Sequence, residues 1–176
     1  MRIFSLWLAG TVVLAVILHL SIILGSPLIA VDGAMERLSV NGTINAALHH
    51  PRPSAHLHGP ALPDPDVLIS SCVFDLSDGP LRVTTPVAGL TWSLAFHGDN
   101  ADPFFFLNDL QADDDYVELV LALEDQKVAP NARPRKVPVI ISPVPRGLIL
   151  FRTLLKSEGD LQQTEQERRQ ARCKPI

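Results

Sequence analysis

The chain has 176 residues, 47% of them hydrophobic, 19% charged and 15 of them proline, with a formal net charge of −4. Apolar content this high excludes wholesale disorder, and two cysteines exclude a disulfide-dense scaffold. The acidic balance argues against a nucleic-acid binder, which needs a basic face to displace counterions. Once the apolar start is set aside about 145 residues remain, the size of one domain rather than two.

From Ile3 to Leu24 the chain reads IFSLWLAGTVVLAVILHLSIIL, without Asp, Glu, Lys or Arg. As a helix rising about 1.5 Å per residue it spans about 33 Å, enough for a hydrocarbon core of about 30 Å. Ser5, Thr11 and Ser21 can return their hydroxyls to the helix's own carbonyls, Trp7 suits one interface, and His19 lies near the other. Gly25-Ser26-Pro27 is expected to end the helix. The run exceeds a signal peptide's apolar stretch, and cleavage after Ala30 would set bulky Leu28 where a small residue is wanted, so an uncleaved anchor over residues 1–28 is favoured. Arg2 precedes the span, and Asp32 and Glu36 are the first charges after it. This places the N-terminus in the cytoplasm and the rest outside the inner membrane, in the periplasm.

Residues 29–66 are expected to hold a short helix, a turn at Asn41-Gly42, a second helical turn and a proline-punctuated linker over 51–66. From Val67 the period changes. Runs at 67–75, 81–85, 90–97, 104–109, 116–124, 136–142 and 147–155 are rich in β-branched, aromatic and other large apolar residues. Turn signals such as Ser77-Asp78-Gly79-Pro80 and Gly98-Asp99-Asn100 separate them. Such spacing over 67–176, without βαβ alternation, predicts a mainly β domain, an antiparallel sandwich or partly closed barrel. Residues 159–172 are polar helix formers, with Asp160 as N-cap and Glu165–Arg169 as a charge pair, and are expected to form a solvated surface helix.

Asp64-Pro65-Asp66, followed by Ser70-Ser71-Cys72-Val73-Phe74-Asp75-Leu76-Ser77-Asp78-Gly79-Pro80, resembles the bacterial family known as domain of unknown function 1254. In that family a Pro-Asp motif leads into a strand ending Asp-Leu-Ser-x-Gly-Pro. Thr91-Trp92-Ser93-Leu94-Ala95-Phe96 and Ser142-Pro143, with Gly147 to Leu154, extend the likeness over about residues 60–172. Longer relatives carry Pro-Asn-x-Asp and Tyr-Tyr-Ser where this chain has Asp64-Pro65-Asp66 and Thr91-Trp92-Ser93. Many of them continue into a second β-rich domain. The resemblance implies a β-rich fold and a separate β-rich partner chain supplying the other half; it implies no reaction.

Chemistry-bearing residues are sparse in pattern. His49, His50, His56 and His58 lie close together, but Pro51 and Pro53 intervene and no cysteine joins them, so no metal is expected. Asp99, Asp102, Asp109 and Asp113-Asp114-Asp115 lack EF-hand spacing and read as turn residues rather than a calcium site. Cys72 falls in an apolar strand, where a free thiol packs as a small hydrophobe. The competing reading bridges it to Cys173, and the sequence leaves that open. Ser70-Ser71 lies mid-strand rather than on a nucleophile elbow. Arg82, His97 and Arg152 would cluster only if their strands were neighbours. Phe104-Phe105-Phe106 reads as core plus one exposed ring, and Asn41-Gly42-Thr43 matches a glycosylation acceptor of little weight in a bacterial chain.

The sequence therefore favours a non-enzymatic envelope protein. No catalytic, cofactor-binding or metal-binding residue is expected, and no cofactor. Its partners would be the lipid bilayer, through the N-terminal helix, and a β-rich protein, with no nucleic acid. The alternative is a small-molecule-binding or hydrolytic domain with a site near His97 and Asp99.

Overall fold

A computed structural model of the chain describes residues 2–39, 44–53, 64–112, 114–128 and 137–176. Helix α1 (Arg2–Ser39) is followed by strands β1 (Leu48–His49), β2 (Val67–Asp75), β3 (Leu81–Pro86), β4 (Thr91–Gly98), β5 (Pro103–Asn108), β6 (Tyr116–Ala122), β7 (Val139–Ile141) and β8 (Arg146–Leu154). A 3₁₀ turn at Glu158–Asp160 leads into α2 (Leu161–Arg168), and β9 (Arg172–Pro175) closes the chain.

Among the described residues the strands form two sheets, with no closed barrel. Sheet A runs β1-β2-β8-β4-β5, antiparallel throughout. Sheet B runs β7-β6-β3-β9, with β7 parallel to β6 and the other pairs antiparallel. Strand alternation sends one set of side chains between the sheets. Cys72 and Phe74 from β2, Leu81 and Val83 from β3, and Trp92, Leu94 and Phe96 from β4 meet Val117, Leu119 and Leu121 from β6 and Ile149 and Phe151 from β8. Full burial of a side chain of this size contributes about 1.5–3 kcal/mol. Phe104 and Phe105 pack against this core, whereas Phe106 is 52% exposed, the division expected of the triplet.

β2 is buried on both faces from Ser70 to Phe74, since on its outer side Met35 of α1 covers Val73 and His50 meets Ser71. Met35, near the end of α1, packs on Val73 and Leu148 and is itself buried. That contact accounts for the first departure from expectation. Gly25-Ser26-Pro27 does not end the helix, which continues to Ser39. Pro27 withholds one N–H from the Ile23 carbonyl, a local loss the helix absorbs while its far end is anchored on the sheet.

Among the described residues 44–53 no second helical turn is present. Instead Ile44 bridges Val73, and Leu48 and His49 form β1 against Ser71 and Ser70. Asn45, in a left-handed conformation at φ 58, exchanges side-chain bonds of 2.8 Å with both the N–H and the carbonyl of Asp75. Asn tolerates that conformation better than most residues. Asn41-Gly42-Thr43 lies outside the described residues.

Cys72 and Cys173 are joined in a disulfide, with Cα atoms 6.6 Å apart. The free-thiol reading is thereby corrected: an apolar strand position is also where a bridge between facing sheets must start. It ties β2 to the C-terminal strand β9 across the core, since β9 pairs with β3 and sets Cys173 beside Val83.

Candidate functional site

The α2 segment is polar in sequence, yet Arg168 on it is wholly buried and Thr164, one turn earlier, nearly so. A buried guanidinium must be bonded on every side to offset its desolvation. Arg168 donates to the carbonyls of Ile69 at 2.9 Å and His50 at 2.7 Å, to Ser70 Oγ at 3.2 Å and to Glu165 Oε1 at 2.7 Å. Its Nε also donates to Glu165 Oε2. Glu165 accepts from Arg169 as well, at 3.0 Å, so the expected Glu165–Arg169 pair is present and part of a larger network. Burial alone would raise the Glu165 carboxyl, but the bonds from Arg168 and Arg169 outweigh it and hold the group below its ordinary range. Asp160 sits at the N-cap position without a side-chain cap; its carboxylate accepts from Ser157 Oγ.

β1 completes the cluster. His49 Nδ1 lies 2.9 Å from Ser70 Oγ, and His50 Nε2 lies 2.7 Å from Ser71 Oγ. With Arg168 donating to Ser70 Oγ, the consistent arrangement has the hydroxyl proton directed at a neutral His49. Burial pushes both imidazoles below their ordinary value of 6.5, and the neighbouring Arg168 adds to the effect. Arg172 and Arg169 depress His49 further, while Glu165 partly counters them.

Two serine–histidine pairs invite a nucleophilic reading, and the surroundings oppose it. Ser70 and Ser71 are 2% and 3% exposed. The void beside them, between the sheets, is about 20 Å³, room for about one water. A small-molecule site ordinarily needs about 300 Å³ or more. The cluster clamps β1 and α2 onto β2; it does not present a nucleophile.

The other sequence candidates are dispersed. Of the four histidines only His49 and His50 are described, and the described residues contain no group of three or more His, Cys, Asp or Glu placed to hold a metal. His97 Nδ1 faces the Ala101 carbonyl at 3.4 Å within the β4–β5 turn, and Asp99 is exposed on that turn. Arg82 is in sheet B, 3.3 Å from Glu118. His97 and Arg152 lie four residue pairs apart on sheet A, about 13 Å, so the three do not cluster. Asp99, Asp109, Asp114 and Asp115 sit in turns and bends, Asp113 lies outside the described residues, and Asn100 Nδ2 donates to Asp102 at 2.7 Å. Asp75, at the end of β2, is held low by the Ser77 hydroxyl and backbone N–H, with Arg146 assisting. An open cleft of about 200 Å³ between α2 and the β3–β4 turn is lined by Gly89, Lys156, Asp160, Gln163 and Glu167, with Lys156 Nζ bonded to the Gly89 carbonyl at 2.8 Å.

Sequence reasoning missed Arg168, because a charged residue in a polar helix looks solvent-facing. The available signal was the i, i+4 spacing of Thr164 and Arg168, which places a small polar residue and the arginine on one face.

β2, the Asp75-Leu76-Ser77 segment at its end, the Gly79-Pro80 turn and the disulfide partner Cys173 all fall inside residues 44–175, which match the family described as protein of unknown function, DUF1254. The chain belongs to the DUF1254 family. Its fold is shared with two solved structures. One is the VPA0106 protein from Vibrio parahaemolyticus, with 14% identity and a TM-score of 0.66 over 89% of this chain and 37% of that one. The other is an uncharacterised protein from Burkholderia cenocepacia, with 20% identity and a TM-score of 0.51 over 86% of this chain and 40% of that one. The DUF1254 chain thus spans about two fifths of each of these proteins. No curated protein matches it.

α1 of this DUF1254 protein is long and apolar enough over Ile3–Ser26 to cross a membrane, a test that a signal sequence also passes. None of that window is buried against the β domain. Thr11 and Ser21 return their hydroxyls to the carbonyls of Trp7 and Ile17 at 2.9 and 2.8 Å, as expected in lipid.

Proposed function

We propose that this DUF1254 protein is a single-pass inner-membrane protein with its N-terminus in the cytoplasm. A non-catalytic β domain in the periplasm docks a separate β-rich chain. The observation that carries the reading is α1: 24 residues without a charged side chain expose a predominantly apolar surface, while the same helix continues to the Met35 contact on sheet A. An exposed apolar surface of that length needs lipid as its solvent. Arg2 before the span favours retention of the N-terminus inside. The Cys72–Cys173 bridge supports an oxidising compartment for the domain. A partner is supported by the outer edge of β5, which no strand pairs among the described residues. The non-catalytic reading is supported by the burial of Ser70 and Ser71.

The test is the size of the full chain extracted from its native membranes in mild detergent. A complex with a second, β-rich polypeptide is expected. Recovery of the lone chain would sink the partner reading.

A further inference from the structure

Sheet A ends at β5, and among the described residues no strand pairs with its outer side. The other sheet ends are shorter: two residues in β1, three in β7 and four in β9, against six in β5. The Asp109 N–H bonds the Trp92 carbonyl at 3.3 Å, which sets the alternation along the β4–β5 ladder. Phe105, Leu107 and Asp109 turn their backbone groups toward β4, so the N–H and C=O of Phe106 and the N–H of Asn108 point away from it. Phe106, opposite Ala95, puts its ring on the outer face of sheet A beside a groove of about 260 Å³ that Val67, Ser93, Arg152 and Leu154 also line. Leu110, just past the strand, is 89% exposed.

Natural sheets protect such edges with charge, proline, bulges or shortness. Here Pro103 and the bulge that leaves Phe104 without a ladder partner act on the first two residues only, and Phe105 to Asn108 carry neither charge nor proline. The charges stand at the two ends instead, with Asp99 and Asp102 before the strand and Asp109, Asp114 and Asp115 after it. A second copy pairing along β5 would set acidic turn against acidic turn, whether parallel or antiparallel. Like charges held side by side disfavour that arrangement.

Resting on the partner reading above, we propose that β5 is the docking edge. An extended segment of the separate chain adds to sheet A there, with apolar residues meeting Phe106 and Lys or Arg at both of its ends. Backbone bonds to Phe106 and Asn108 supply the pairing, and the acidic turns select the basic flanks.

The experiment places a photo-crosslinking benzoylphenylalanine at position 106, and in separate full-length chains at Ile141 on β7 and at Ile176, all in native membranes. Position 106 is expected to crosslink to a peptide of another chain, extended, with alternating apolar residues and basic residues at both ends. With the crosslinker at Leu110 instead, Phe106→Pro is expected to lower the yield at least tenfold, because it removes an outward N–H without removing a bond to β4. Phe106→Lys, which leaves the backbone free to fold, is expected to act likewise. Crosslinking of 106 to a second copy of this chain, or to a peptide lacking basic flanks, overturns the proposal. Crosslinking of a partner from 141 or 176 but not from 106 overturns the edge and leaves the partner reading standing. No crosslink at any position overturns both.

Discussion

Replacing Arg168 by Met keeps the length and apolar shaft of the side chain and removes every bond of its guanidinium. The carbonyls of Ile69 and His50 then lose donors that lay 2.9 and 2.7 Å away, and Glu165 loses its buried counter-charge. Each hydrogen bond to a charged group is worth about 1.5–3 kcal/mol, but much of that total is offset because Arg168 no longer has to be desolvated. Removing one partner of a buried pair typically leaves a net loss of about 3–5 kcal/mol, and that is the expected cost. Urea unfolding of the full chain in detergent, followed by the far-ultraviolet β signal, reads it as a lower midpoint at unchanged slope. The cost should shrink when Glu165→Gln is combined with it, because the carboxylate left with Arg169 alone is then gone. A loss below about 1 kcal/mol for Arg168→Met, or strict additivity of the two changes, would refute the clamp.

Three further outcomes follow from the same structure. Cys72→Ala opens a bridge between residues 101 apart, and loop-closure entropy puts the loss at about 4–5 kcal/mol, read from the unfolding midpoint and checked by thiol counting. Gly147→Ala would drive a Cβ into the His97 carbonyl and to within 2.6 Å of the Phe74 ring, so a loss of about 1–3 kcal/mol is expected in the same assay. Acid acts in two windows. His49 and His50 are lowered from 6.5, so the folded chain binds fewer protons than the unfolded one, and stability is full above pH 6.5 and falls as the pH drops beneath it. The lowered Glu165 and Asp75 add their losses only below their ordinary 4.5 and 3.8. Replacing both histidines by Gln should flatten stability against pH between 6.5 and 5 and leave the lower fall in place; an unchanged slope would contradict it.

Strands β2 to β8 were legible because their apolar runs and turn signals are local properties: β2 occupies Val67–Asp75 and β8 Arg146–Leu154, within a residue of the sequence expectation. What escaped depends on contacts distant in sequence. β1 has two residues and forms only because Ser70 and Ser71 receive it. β9 follows a polar helix and becomes a strand by pairing with β3 and bridging to Cys72. The parallel pairing of β7 with β6 carries no local signal, since short apolar runs read alike in either direction. At the candidate site the two histidines were legible as a pair, but their neighbour Arg168 lies more than a hundred residues on, and its burial cannot be read from its own helix.

The most direct test of the account is the intact mass of the protein under non-reducing conditions, taken separately from membrane and soluble fractions. The full chain is expected in the membrane fraction, resistant to salt and alkaline washing, with the Cys72–Cys173 bridge formed. A soluble product lacking the N-terminal segment, or a full-length cytosolic chain with two free thiols, would contradict it.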